Sequence, residues 1–145
     1  MKQLTLLLIP LVLLTSACTA LQAYKGEGDL TNSQWKLVSY GKSGAETPVV
    51  EGSSITLDFE AEGQVGGSGG CNSYGGKYET QDNNLTIRDI VSTLMACADE
   101  QVTQQEQRYF DALKTATRFE ITEDKLTIWY GDGQNRLNFV QATSG

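Results

Sequence analysis

Two cysteines, a run of glycines and a handful of carboxylates carry whatever chemistry this chain offers. Within residues 63–106, GQVGGSGGCNSYGGKYETQDNNLTIRDIVSTLMACADEQVTQQE, a glycine cluster leads into Cys71-Asn72, and Cys97 opens a helical pattern that contains Glu106. A free thiol at a helix start is a candidate nucleophile, because the positive helix end favours the thiolate. Such a nucleophile needs a base. The chain has no histidine, which removes the commonest general base and the commonest metal ligand together. Cys71 and Cys97 are also not spaced as a CxxC redox motif. A pair of cysteines in an oxidising compartment favours a disulfide, which would stabilise the fold by roughly 3–3.5 kcal/mol through loop entropy. The disulfide is the expectation, and a reactive Cys97 is its rival.

The glycines do not form a phosphate loop. That motif requires G-x-x-x-x-G-K-[S/T] between a strand and a helix. Here Tyr78 follows Gly76-Lys77, Cys71 stands where the first glycine should be, and a strand comes next. Glycines that permit bulges and close backbone approach are the better account, with Asn72 suited to the same bend. Asp82-Asn83-Asn84 lacks the ligand series of an EF-hand and reads as a turn. Glu60, Glu62, Asp99, Glu100 and Glu106 include possible acid/base pairs, yet acids on turns and a helix face are ordinarily solvated. No catalytic residue, metal site or cofactor is expected. Tyr74, in a glycine-rich segment where burial looks poor, is expected to be an exposed contact residue.

The elements that must position these residues are mostly strands. Short alternating runs bounded by turn residues predict an antiparallel sheet: Trp35–Tyr40, Ser54–Phe59, Gln64–Ser68, Lys77–Thr80 and Leu85–Arg88, with turns at Glu60–Gly63 and Gln81–Asn84. After Thr93 the period changes to about 3.6, placing Val102, Glu106, Tyr109, Phe110 and Leu113 on one helical face. Three strands follow, Arg118–Thr122, Lys125–Tyr130 and Arg136–Val140. The expected class is α+β: a curled, mostly antiparallel sheet, a partly open barrel, packed against one long helix.

The first seventeen residues read as a lipoprotein signal peptide. Lys2 is the positive region, Leu6–Leu14 the apolar region, and Thr15-Ser16-Ala17 the small-residue site before Cys18. Roughly ten apolar residues fall short of the about twenty that a permanent span needs. Cysteine after small residues resembles the lipobox of bacterial lipoproteins, which implies lipidation of Cys18 and stable anchoring by its acyl chains. Thr19 is not the Asp that retains such proteins at the inner membrane, so the periplasmic face of the outer membrane is expected in a Gram-negative cell. Residues 18–30 then form a tether and 31–145 the domain. The formal net charge of the 145 residues is −7. That balance opposes binding to nucleic acid and electrostatic adhesion to anionic lipid.

Trp35, Gly69-Gly70-Cys71-Asn72, Gly75-Gly76-Lys77-Tyr78, Ser92-Thr93-Leu94-Met95-Ala96-Cys97 and Glu106 together resemble the META domain family of HslJ-like proteins, over about Leu30 to Val140. The resemblance implies structural motif roles for Trp35, Gly70, Asn72, Gly76, Tyr78, Thr93 and Glu106. It implies association with stress response and the cell envelope, and supplies no catalytic residues. The expected function is therefore a non-enzymatic, lipid-anchored envelope module that binds or supports envelope proteins, a peptide or lipid. The alternatives are an enzyme of unrecognised type acting on envelope components, and a purely structural or inhibitory surface module.

Overall fold

The computed structural model describes residues 28–142. The expected signal peptide and lipidation site Cys18, the expected tether up to residue 27, and residues 143–145 lie outside the described residues. The elements run β1 (Ser33–Lys42), β2 (Thr47–Pro48), β3 (Thr56–Phe59), a single 3-10 turn (Ala61–Gly63), β4 (Gln64–Ser68), β5 (Ser73–Gln81), β6 (Asn84–Ser92), α1 (Glu100–Lys114), β7 (Ala116–Thr122), β8 (Lys125–Tyr130) and β9 (Asn135–Gln141).

Period-two alternation makes the core. Trp35, Leu37, Leu57, Phe59, Val65, Tyr74, Tyr78, Leu85, Ile87, Phe119, Leu126, Ile128, Leu137 and Phe139 are all buried, and along each strand they alternate with more exposed residues, as strand geometry demands. Gly76 falls between Tyr74 and Tyr78 in this inward series. A Cβ there would meet the Arg88 carbonyl oxygen at 2.9 Å, so the position takes no side chain without moving backbone. Register shifts between Leu37 and Ser39, Gly75 and Lys77, and Ala116 and Arg118 bend strands that must curl.

All neighbouring strands pair antiparallel, in the order β1-β3-β4-β5-β6-β7-β8-β9, and β9 pairs back to β1. The eight strands thus form a closed barrel, with β2 added beside β1. This corrects the expectation of a partly open barrel. Closure rests on a long β1–β9 ladder from Trp35↔Gln141 to Lys42↔Asn135. The thinnest seam is β6–β7, paired only at Asn84↔Arg118 and reinforced by Phe119 N–H donating to the Asn83 carbonyl at 2.9 Å. Away from that point the helix packs against β6.

Strand alternation sorts the connections onto two ends. The β3–β4, β5–β6 and β7–β8 turns gather at one end with the entering chain; the β4–β5 turn, the β8–β9 turn and α1 gather at the other. Leu30, expected in the tether, is buried at the first end. Beside it, Thr31 Oγ1 lies 3.4 Å from Tyr78 Oη, which donates to the Glu60 carbonyl at 3.2 Å. A Cβ on Gly28 would strike Ile121. Gly28 and Leu30 thus pack against the barrel.

Candidate functional site

The helix end of the barrel brings the expected motif residues together. Asp99 caps α1, its Oδ1 accepting from Gln101 N–H at 2.7 Å, as the N-cap position favours. The buried face of α1 is Gln105, Glu106, Tyr109, Ala112 and Leu113. The periodicity placed Glu106, Tyr109 and Leu113 correctly but missed Gln105, and Val102 and Phe110 are only half-buried.

Glu106 is the centre of a clasp. Its Oε2 accepts from the backbone N–H groups of Cys71 at 3.1 Å and Asn72 at 2.6 Å, and its Oε1 accepts from Asn72 Nδ2 at 2.6 Å. Asn72 in turn uses Oδ1 to accept from Thr93 Oγ1 at 2.9 Å and Met95 N–H at 2.7 Å. Both Glu106 and Asn72 are buried, where unpaired polar groups would be costly. Each bond therefore ties helix to glycine turn, and glycine turn to the segment after β6. The glycines make room: a Cβ on Gly69 would lie 2.6 Å from Glu106 Oε2 and 2.7 Å from Phe110 Cζ, and Gly70 holds φ +109°.

Cys71 and Cys97 form a disulfide, with Cα atoms 5.9 Å apart. The expected pair is thus bonded, and Cys97 is no free nucleophile. Cys71, Cys97 and Glu106 place their donor atoms within 4.8 Å of one another, a cluster that invites a metal reading. The donors do not fit a cation in this state: the two sulfurs are bonded to each other, and the carboxylate already accepts three N–H bonds.

Tyr74 contradicts its expected role as an exposed contact. It is 7 % exposed, its Oη donates to the Thr56 carbonyl at 2.9 Å and lies 2.8 Å from Tyr109 Oη. Burial pushes both phenols well above their ordinary pKa. The ring turns inward against α1, packing edge-on to Tyr109 and Phe110 with centroids 5.8 and 5.3 Å away. Trp35 is likewise buried, with Nε1 donating to Ser33 Oγ at 2.7 Å, and Tyr78 packs edge-on against Phe59 at 4.8 Å. Gln105 had no sequence signal beyond its place in a helix. Its amide accepts from Val50 N–H at 2.7 Å and donates to Ser53 Oγ at 2.9 Å, pinning the β2–β3 loop.

The exposed residues are elsewhere. Leu94 is 95 % exposed and Met95 59 %, both on the segment that the clasp holds, and Val91, 72 % exposed, stands just before it at the end of β6. Between this segment and the helix flank of Thr103, Gln107 and Phe110 lies a groove of about 550 Å³. Isolated exposed apolar residues are unremarkable; here three fall within five residues, at and just beyond the end of β6, where buried hydrogen bonds and a disulfide fasten the chain. The sequence signal was two large apolar residues, Leu94-Met95, in a stretch without helix or strand periodicity.

A family model described as META domain matches residues 28–144. No curated protein matches the sequence. Among solved structures, an NMR structure of a protein from Burkholderia xenovorans is 26 % identical with a TM-score of 0.69, covering 79 % of this chain and 85 % of that one. A second protein solved by NMR is 22 % identical, TM-score 0.59, covering 75 % and 88 %. A crystal structure of a DUF4847 family protein from Bacteroides vulgatus is 13 % identical, TM-score 0.57, covering 79 % and 95 %. The last two share the fold.

Proposed function

This chain belongs to the META domain family, and on that premise we propose that it is a non-enzymatic, lipid-anchored binding module of the bacterial cell envelope, whose contact face is the clasped segment Val91–Cys97. The single observation that carries this reading is the near-complete exposure of Leu94 beside Met95 and Val91, on backbone fixed by Asn72 and the disulfide. Fixing such a segment lowers the ordering cost of binding, which is how a rigid face gains affinity. A non-catalytic role is supported by the chemistry of the motif: every polar group in the clasp is consumed internally, and the chain holds no histidine.

The occupant is a polypeptide segment with apolar side chains and basic flanks. Leu94 and Met95 supply the apolar surface, while exposed Asp99 and Glu100 border it and the chain is net acidic. Those acids oppose an anionic lipid surface. Crosslinking in cells tests the reading, with a benzophenone-bearing residue at Leu94 or, as a comparison, at exposed Thr80 on the opposite end. Discrete protein adducts from position 94, absent from position 80 and lost when Met95→Asp is added, are expected. Equal adducts from both positions, or none from position 94, would overturn it.

A further inference from the structure

A second cleft, unconnected with the clasp, lies on the other flank of α1. It measures about 500 Å³, and its wall includes Tyr40 from β1, Thr47 from β2, Arg108 and Ala112 from the helix, Tyr130 from β8 and Asn135 from β9. That volume lies within the range of about 300–1,000 Å³ typical of small-molecule sites. We propose that this cleft binds a small carboxylate carried on an apolar body.

The unpartnered groups specify the ligand. Tyr40 is more than nine-tenths buried, at 8 % exposed, yet its hydroxyl makes no hydrogen bond among the described residues. No fully buried side-chain oxygen or nitrogen there lacks a partner, so the Tyr40 hydroxyl must reach the surface where the residue opens, in the cleft wall. Tyr130, half-buried, also has an unbonded hydroxyl. Like any phenol at neutral pH it is protonated and can donate, and burial and then Tyr40 raise its pKa further. Arg108 forms no ion pair among the described residues. The one acid in the wall, Asp111, has an exposed side chain turned to within 3.6 Å of Lys114 Nζ. The cleft therefore offers a guanidinium and two phenolic O–H donors, beside the half-buried ring of Tyr130 and the edge of Tyr40. A guanidinium fork matches a carboxylate in shape and charge, and the rings cover an apolar body.

Isotope-labelled mature protein titrated with benzoate, its neutral isostere benzamide, and inorganic phosphate tests this assignment. Benzoate should move the amide signals of Gly41 and Gly131 at the cleft mouth. Arg108→Gln, at an exposed position that leaves the core intact, should weaken benzoate about tenfold, the worth of one charged hydrogen bond. Tyr130→Phe should weaken it severalfold, and benzamide and phosphate should bind at least about tenfold more weakly than benzoate. Equal binding of benzamide, tighter binding of phosphate, an unchanged Arg108→Gln, shifts confined to Leu94 and Met95, or no shift with benzoate would each overturn it.

Discussion

At the scale of single residues, the family motif is a set of hydrogen-bond obligations. Glu106→Ala would strand the buried N–H and side-chain amide of Asn72 and the partly buried N–H of Cys71. It should cost about 3 kcal/mol or more, since each orphaned buried group costs about 1–3 kcal/mol; urea unfolding followed by tryptophan fluorescence would measure it. Glu106→Gln keeps one acceptor oxygen and should lose less. Tyr74 and Tyr109 make a pH prediction. Burial raises both phenols above the ordinary value, so the folded state holds their protons more tightly than the unfolded chain does. Their stabilising contribution is fully present below the unfolded pKa of about 10 and is lost as pH rises beyond it. Absorbance at 295 nm should therefore show two tyrosines ionising only together with alkaline unfolding, and ionisation of all six below that transition would contradict it. The residue scale was also where sequence reading failed most plainly. Glycine neighbours suggested that Tyr74 was exposed, because local composition cannot say that a distant helix brings Tyr109 and Phe110 against the ring.

At the scale of elements, alternation was legible and pairing was not. Ile55, Leu57 and Phe59 announce one buried face of β3, and Leu126–Ile128 and Leu137–Phe139 do the same for β8 and β9. The start of β5 at Ser73 was obscured by Gly75 and Gly76, which carry no side-chain pattern. The two-residue β2 has no periodicity at all. The link between Cys71 and Cys97 was legible from the absence of other partners; the bonds of Asn72 to Thr93 and Met95 were not, since they join side chain to a segment without regular structure. Replacing both cysteines by serine should cost roughly 3 kcal/mol by loop entropy, read as a lower midpoint in urea and a change in amide exchange confined to residues 92–99. Asp99→Ala removes the cap of α1 and should cost about 1 kcal/mol. Asp58, on β3, has its carboxyl raised by partial burial and then by Glu60. The folded state there binds a proton more readily than the unfolded chain, so stability falls as pH rises through that window. Asp58→Asn should raise stability at pH 7 and leave it unchanged near pH 3; a gain equal at both would contradict the sign.

At the scale of the molecule, the barrel is a frame with different equipment at each end. Leu30 and the short turns close one end, and α1 with its clasp closes the other. Closure itself could not be read from the sequence, because the β1–β9 ladder joins residues about a hundred positions apart and each strand's pattern is satisfied whether or not the ring shuts. Leu30→Ala should cost about 2–4 kcal/mol, as truncation of a fully buried leucine does, which thermal unfolding would show. The central claim is that this frame fastens an apolar segment in place for contact rather than leaving it loose. Backbone order parameters of Leu94 and Met95 in the mature protein test that most directly. Values near those of the barrel strands, about 0.85, falling below about 0.6 in Asn72→Ala, are the predicted result. Values already below about 0.6 in the unaltered protein, or unchanged by Asn72→Ala, would contradict it.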